Sequence, residues 1–183
     1  MRLLYLYIIF LFANGCTPSL RSPQRSFDSF ILWRTGHDAE TIQQIPLNSN
    51  DASVRSKNES FVHVKFNIKG YGEVSVPINT KTVEGSEALQ ADISQCKSIL
   101  LTYKANHEFI VQLRQTGIHG GIHNQITLPG SEIFTMVTIP FTEFKGGVKP
   151  LDLKDVSKFN FAFLSNDPED GFAELKISGF SIQ

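Results

Sequence analysis

Hydrophobic and polar residues alternate along most of this chain, a pattern typical of β-strands with one buried face. In residues 61–68, Val62, Val64, Phe66 and Ile68 alternate with polar residues. No segment of ten or more residues has a sustained period of 3.6, so helices are not expected. The pattern therefore predicts an all-β fold, an antiparallel β-sandwich of the jelly-roll kind. The other predicted strands cover residues 73–78, 99–105, 107–116, 134–141, 159–163 and 172–182.

Local features refine this outline. Residues 70–72 (Gly-Tyr-Gly) predict a turn between two strands, and Asn106 is expected to join 99–105 and 107–116 as a hairpin. Phe159, Phe161 and Phe163 recur at period two, so their rings should lie together on one face of a strand.

The pattern of the first residues predicts an export signal. Arg2 precedes an apolar run over 3–13, which is too short to span a bilayer because spanning takes about 20 residues. The run ends in Ala-Asn-Gly-Cys and resembles a bacterial lipoprotein signal, in which Cys16 is lipidated and becomes the mature N-terminus. An ordinary signal peptide cleaved near Gly15 is the alternative.

These features divide the chain into three parts. We expect a lipoprotein-type signal peptide over residues 1–15, a lipidated Cys16 with a Pro-containing flexible tether over 16–26, and a β-sandwich domain over 27–183. The domain would be lipid-anchored at the bacterial cell envelope, on the outer membrane or cell surface. Its membrane contact would then come through the lipid anchor alone.

Composition narrows the partners. A net charge of −1 argues against nucleic acid, which requires concentrated basic charge. The 15 phenylalanines, against one tryptophan and four tyrosines, are expected to fill the core. If Cys16 is acylated, Cys96 has no partner for a disulfide, and we expect it to be a buried small hydrophobe.

The order of elements in the second half resembles a known family. Its most specific piece is Ile-Pro-Phe-x-x-Phe at 139–144, followed by Leu-Asp-Leu at 151–153. With the flanking strands, this succession resembles the galactose-binding-like jelly rolls of the family 11 carbohydrate-binding module and of the CIA30 type, over about 61–182. The resemblance implies that Phe134 fills a core place where the family has Trp. Ser178 stands where the family often has an Asp that helps bind structural calcium. Because Ser is a poor calcium ligand, no cofactor is expected, and a structural calcium is the alternative.

Sugar recognition requires polar groups that match hydroxyls and an aromatic ring for the sugar's C–H face. Gln112 and Arg114 lie two residues apart on one face of a predicted strand, which the resemblance places in the concave sheet. They are the leading ligand-contact candidates; a solvated face with a surface salt bridge is the alternative. Trp33 and Tyr71 are the candidate stacking residues, although Trp33 could equally be buried.

The loop after this strand adds two candidates. His119 and His123 flank paired glycines and could present imidazoles beside the sheet, or belong to an ordinary exposed loop. No further ligand stands near them in sequence, so a metal site is not expected. The acidic run at 167–170 is expected to be a loop tip, and no catalytic motif occurs, so the protein is not expected to be an enzyme.

Two functions remain open. The first is a non-catalytic carbohydrate-binding lipoprotein that holds poly- or oligosaccharide on the concave sheet. The second is a CIA30-like protein-interaction or assembly module whose partner is an envelope protein. An exposed ring over the face of Gln112 and Arg114 would favour sugar, and a flat apolar patch there would favour a protein.

Overall fold

The structure is a computed structural model that describes residues 33–46, 61–79, 89–118, 120–165 and 171–183. These residues form ten β-strands and one short 3-10 turn, Phe141–Glu143. In chain order the strands are β1 (Arg34–His37), β2 (Ile42–Ile45), β3 (Val62–Asn67), β4 (Tyr71–Pro77), β5 (Ser98–Ala105), β6 (Phe109–Gln115), β7 (Asn124–Leu128), β8 (Ser131–Pro140), β9 (Val156–Leu164) and β10 (Ala173–Ile182).

The strands form two five-stranded sheets that pack as a sandwich. Sheet A has the order β1-β4-β9-β6-β7, and sheet B has the order β2-β3-β10-β5-β8. Every pairing within them is antiparallel. The predicted fold class, an antiparallel all-β sandwich, is confirmed.

The core lies between the inner faces of the two sheets and is rich in phenylalanine. Phe159, Phe161 and Phe163 are all buried on β9, which confirms the prediction from their period of two. Phe180 of sheet B packs edge-on against both Phe159 and Phe161, with centroids 5.1 and 5.7 Å apart. Trp33 completes this cluster, because its ring stacks on Phe161 at 5.7 Å and meets Phe180 edge-on at 6.0 Å.

The predicted hairpin across Asn106 is wrong. Strand β5 belongs to sheet B and β6 belongs to sheet A, so the connection between them crosses from one sheet to the other. Asn106 is instead held by the start of β10: its side-chain amide donates to the Phe172 carbonyl at 3.1 Å and accepts from the Glu174 N–H at 2.7 Å. These bonds fix the crossing point, where a tight turn would have kept both strands in one sheet.

Three other sequence predictions need correction. The turn expected at 70–72 falls earlier, and Tyr71 and Gly72 already belong to β4. Strands β1, β2 and β7 were missed because each has only four or five residues. Phe134 is not in the core: it lies on β8 at the edge of sheet B, 43% exposed, and its ring meets Phe61 at 5.7 Å.

Cys96 is half-buried against the core and is not a free thiol in the structure, which corrects the expectation of an unpaired thiol. The sequence contains one other cysteine, Cys16, which lies outside the described residues together with the predicted signal peptide and tether. A disulfide within the chain and acylation of Cys16 therefore compete for the same sulfur. Across the described ranges, no helix is long and apolar enough to cross a membrane.

Candidate functional site

The outer face of sheet A, which points away from the core, is lined mostly by polar side chains and is called the polar face below. Its residues fall into rows that run across the strands. The central row is Arg34, Ser75, Asn160, Gln112 and Gln125, one from each strand of the sheet. The row on one side contains Gly36, Glu73, Ala162, Ile110 and Thr127, and the row on the other contains Pro77, Lys158 and Arg114.

Gln112 and Arg114 both lie on this face, as the sequence predicted. Val111 and Leu113, which alternate with them along β6, are fully buried in the core. The Gln112 amide donates to Oε1 of Gln125 on the neighbouring strand at 2.8 Å. This bond fixes the orientation of two side-chain amides that stand side by side. Gln112, Arg114 and Gln125 are all partly exposed, so each retains polar atoms for a ligand.

Beneath these side chains lies a polar network that sequence reasoning missed. Glu73 is only 8% exposed, and its carboxylate accepts hydrogen bonds from the Tyr71 hydroxyl and the Asn160 amide. Lys158 adds an ion pair, with Nζ 3.6 Å from Oε1 of Glu73. A buried carboxylate needs such compensation, because burial without partners is strongly unfavourable.

Asn160 is the centre of this network. It is fully buried, and its Nδ2 points to Glu73, so its Oδ1 points the other way and has no hydrogen-bond partner among the described residues. Gly36 of β1 lies directly over Glu73, and a Cβ at this position would come 3.3 Å from the carboxylate. The absence of a side chain at Gly36 thus leaves room for the network.

The environment of Tyr71 shifts its ionisation. Burial and the nearby Glu73 carboxylate both raise the pKa of the Tyr71 hydroxyl well above its ordinary value of 10.0, and Arg114 opposes them only in part. The hydroxyl therefore stays protonated and keeps donating to Glu73. Burial also raises the pKa of Tyr103, whose hydroxyl donates to the Pro129 carbonyl at 2.9 Å.

We expect Tyr71 to resist ionisation in the folded protein. In an alkaline titration followed by tyrosinate absorbance, the difference between wild type and Tyr71→Phe should show no step near pH 10 while the protein remains folded. Because the folded pKa is raised, stability should fall as pH rises above the unfolded value of about 10. A native step near pH 10 would contradict this network. The same difference measured on the urea-unfolded proteins is the control, and it should show the ordinary tyrosine step near pH 10.

The other predicted ligand residues that the structure describes do not lie on the polar face, with the exception of Tyr71. The prediction that Trp33 stacks on a ligand is wrong, because Trp33 is 2% exposed in the core and offers no ring face to a ligand. His123 is also buried, 4% exposed, so it does not project from the loop as expected. His119 lies outside the described residues. Of the two stacking candidates, only Tyr71 is on the polar face with Gln112 and Arg114.

Sequence signals for the missed residues existed but were incomplete. The alternation that buries Val74 and Val76 also puts Glu73 and Ser75 on the opposite face, and Asn160 interrupts a run of phenylalanines. That Glu73 and Asn160 meet follows from the pairing of β4 with β9, which the sequence does not reveal. In the part of the chain that the structure describes, no group of three His, Cys, Asp or Glu residues is placed to hold a metal ion.

Comparison with known proteins places this fold. No protein-family model matches the chain, and no curated protein matches its sequence. A family 11 carbohydrate-binding module from Clostridium thermocellum, solved in complex with a β-1,3-1,4-mixed-linked tetrasaccharide, matches with a TM-score of 0.56 and 13% identity over 90% of this chain and 96% of that one.

Two further solved structures agree. A family 30 module of a Clostridium thermocellum cellulosomal cellulase matches with a TM-score of 0.58 and 13% identity, covering 83% of this chain and 91% of that one. A family 11 module of another cellulosomal cellulase from the same organism matches at 0.53 and 13% identity, covering 87% and 93%. The chain therefore has the jelly-roll fold found in family 11 and family 30 carbohydrate-binding modules.

Proposed function

We propose that this protein is a non-catalytic carbohydrate-binding module that holds a poly- or oligosaccharide on the polar face. The observation that carries the proposal is the row of guanidinium and amide side chains across sheet A, Arg34, Gln112 and Gln125, with Arg114 in the adjoining row. Planar groups with several donors and acceptors match pairs of sugar hydroxyls. Similarity to the carbohydrate-binding modules supports the proposal at the level of fold alone.

The buried network gives this face its rigidity. Tyr71, Glu73 and Asn160 are fixed by mutual hydrogen bonds below the exposed side chains. A pre-organised surface loses less conformational entropy on binding than a flexible one, which favours affinity. No acid–base pair is required for this role, and the one carboxylate in the network, Glu73, is already engaged by Tyr71, Asn160 and Lys158.

The test is affinity electrophoresis of the wild-type protein on a panel of polysaccharides, followed by titration calorimetry on those that retard it. On a retarding polysaccharide, Arg114→Ala should weaken binding about tenfold or more, because a hydrogen bond to a charged group contributes about 1.5–3 kcal/mol. Gln112→Ala should weaken it about two- to tenfold, since neutral hydrogen bonds contribute about 0.5–1.5 kcal/mol.

Lys104→Ala is the matched control, because Lys104 lies on the outer face of sheet B and its loss changes the net charge equally. The proposal is overturned if no polysaccharide retards the protein, or if Arg114→Ala binds as tightly as wild type.

A second candidate function is protein interaction, and one observation favours it. The outer face of sheet B carries an apolar patch of Phe61, Phe134 and Met136, of which Met136 is 67% exposed. Solvent-exposed apolar patches mark interaction sites. For this candidate, Met136→Lys should abolish association with an envelope protein while Arg114→Ala leaves it intact, and no polysaccharide should bind.

We further propose that the protein is exported and that Cys16 anchors it to the bacterial envelope through lipid. The apolar run over 3–13, followed at once by Asn-Gly-Cys, supports both export and the anchor, because it has the length of a secretory signal and ends just before Cys16. Mass spectrometry of the mature N-terminus decides the anchor. An acylated Cys16 supports it, whereas a Cys16–Cys96 disulfide without acyl chains would leave an exported, unanchored protein.

A further inference from the structure

We propose that the ligand of the polar face is an anionic polysaccharide, one that carries carboxylate or sulfate groups. This inference rests on the proposed carbohydrate-binding function and deepens it, because it assigns the charge class of the glycan. Two independent features of the described residues lead to it, the charge distribution on the polar face and the small amount of aromatic surface exposed there.

The polar face concentrates positive charge. Its three rows contain Arg34, Arg114 and Lys158. Lys145 extends the central row, because it forms a β-bridge with Gln125 on the far side of β7. Directly opposed residues of an antiparallel pair project to the same side, so all four cations share this face. The carboxylate in these rows is Glu73.

Glu73 does not cancel this charge at the surface. It is 8% exposed and already bound by Tyr71, Asn160 and Lys158, so it compensates at most one cation. The four cations and the Glu73 carboxylate therefore leave an excess of three positive charges on this face, while the whole chain has a net charge of −1. The carboxylates closest in sequence to these cations, Asp38, Glu108, Glu143 and Asp155, lie outside the three rows.

The cations are spread across the sheet. Adjacent strands lie about 4.8 Å apart. Arg34 and Lys145 are five strand spacings from each other, so they stand roughly 24 Å apart along the central row. Lys158 and Arg114 are directly paired in the adjoining row. Such a line of separated charges suits an extended polymer that crosses the strands and bears an anionic group on several of its sugar units.

The aromatic residues of the described structure point the same way. Trp33 and Tyr103 are each 2% exposed in the core. Tyr71, the stacking candidate on the polar face, is half-buried, and its hydroxyl is bound to Glu73. Neutral glycans depend on the packing of their C–H faces against exposed rings. With little such surface on the polar face, affinity must come from hydrogen bonds and charge, and Arg pairs bidentately with carboxylate and sulfate oxygens.

The experiment compares anionic and neutral polysaccharides on the full-length protein. Polygalacturonate, alginate and dextran sulfate represent the anionic class, and mixed-linkage β-glucan and dextran represent the neutral class. We expect binding to at least one anionic polymer at least tenfold tighter than to either neutral one. This binding should weaken from about 0.1 M to about 1 M salt, as the screening length falls from about 10 Å to about 3 Å.

Variants assign the effect to the polar face. Arg114→Gln combined with Lys145→Gln should weaken binding to the anionic polymer at least tenfold. The control, Lys97→Gln combined with Lys104→Gln, removes the same charge at sheet B and should leave binding within about twofold of wild type.

Each outcome separates the two proposals. Equal or tighter binding of a neutral polysaccharide overturns the charge assignment and leaves the proposed function standing. Binding of no polysaccharide overturns the function and this inference together. Equal binding of double-stranded DNA and the anionic polysaccharides also overturns the inference, because the face would then select charge without selecting sugar.

Discussion

Replacing Trp33 with alanine is expected to lower the free energy of unfolding by about 3–5 kcal/mol, the range for deletion of a large buried aromatic side chain. Trp33 is 2% exposed, stacks on Phe161 and meets Phe180, so it joins the inner faces of both sheets. Alanine would leave a cavity at this junction. The surrounding strands are held by their hydrogen bonds within each sheet, so they can close the cavity only in part. Urea unfolding followed by far-UV circular dichroism measures the loss.

Two variants test the assignment of Trp33 to the core. Phe134→Ala removes a ring that is 43% exposed and should cost much less than Trp33→Ala. Trp33→Phe keeps most of the apolar volume and should bind polysaccharide as wild type does. A cost for Trp33→Ala below about 1 kcal/mol would place Trp33 outside the core, and loss of binding by a stably folded Trp33→Phe would restore it as a ligand residue.

The contrast between Trp33 and Phe159 shows where sequence reasoning succeeded. Phe159, Phe161 and Phe163 sit in a long alternating strand, so the period of two alone placed them in the core. Trp33 precedes a strand of only four residues whose sequence, Arg-Thr-Gly-His, has no apolar alternation. Its burial depends on β1 pairing with β4, a contact that is distant in sequence.

The candidate site shows the same limit. Alternation placed Gln112 and Arg114 on one outward face, because such a pattern is local to a strand. Their neighbours come from other strands: Gln125 pairs from β7 and Asn160 from β9. Strand order arises from how the whole sandwich closes, as the failed hairpin at Asn106 also shows, so the buried carboxylate network needed the structure.

Replacing Asn160 with aspartate is expected to cost about 3–5 kcal/mol at neutral pH, the range for a buried charge without compensation. The substitution is nearly isosteric, but it exchanges the amide that donates to Glu73 for a second carboxylate at a fully buried position. Two adjacent carboxylates cannot both ionise easily, so the folded pKa of the pair rises above the unfolded value of about 4. The penalty should thus grow as pH rises above about 4 and shrink at lower pH.

The measurement is urea unfolding of Asn160→Asp from about pH 4 to pH 7, the interval over which an unperturbed carboxyl group loses its proton. Gln112→Glu is the matched control, since it adds the same charge to the same face at a half-exposed position and should cost about 1 kcal/mol or less. The double variant Glu73→Gln with Asn160→Asp exchanges the amide and the carboxylate, so it should recover most of the loss. If Asn160→Asp is no more destabilising than Gln112→Glu and shows no dependence on pH, the buried contact between Asn160 and Glu73 does not organise this face.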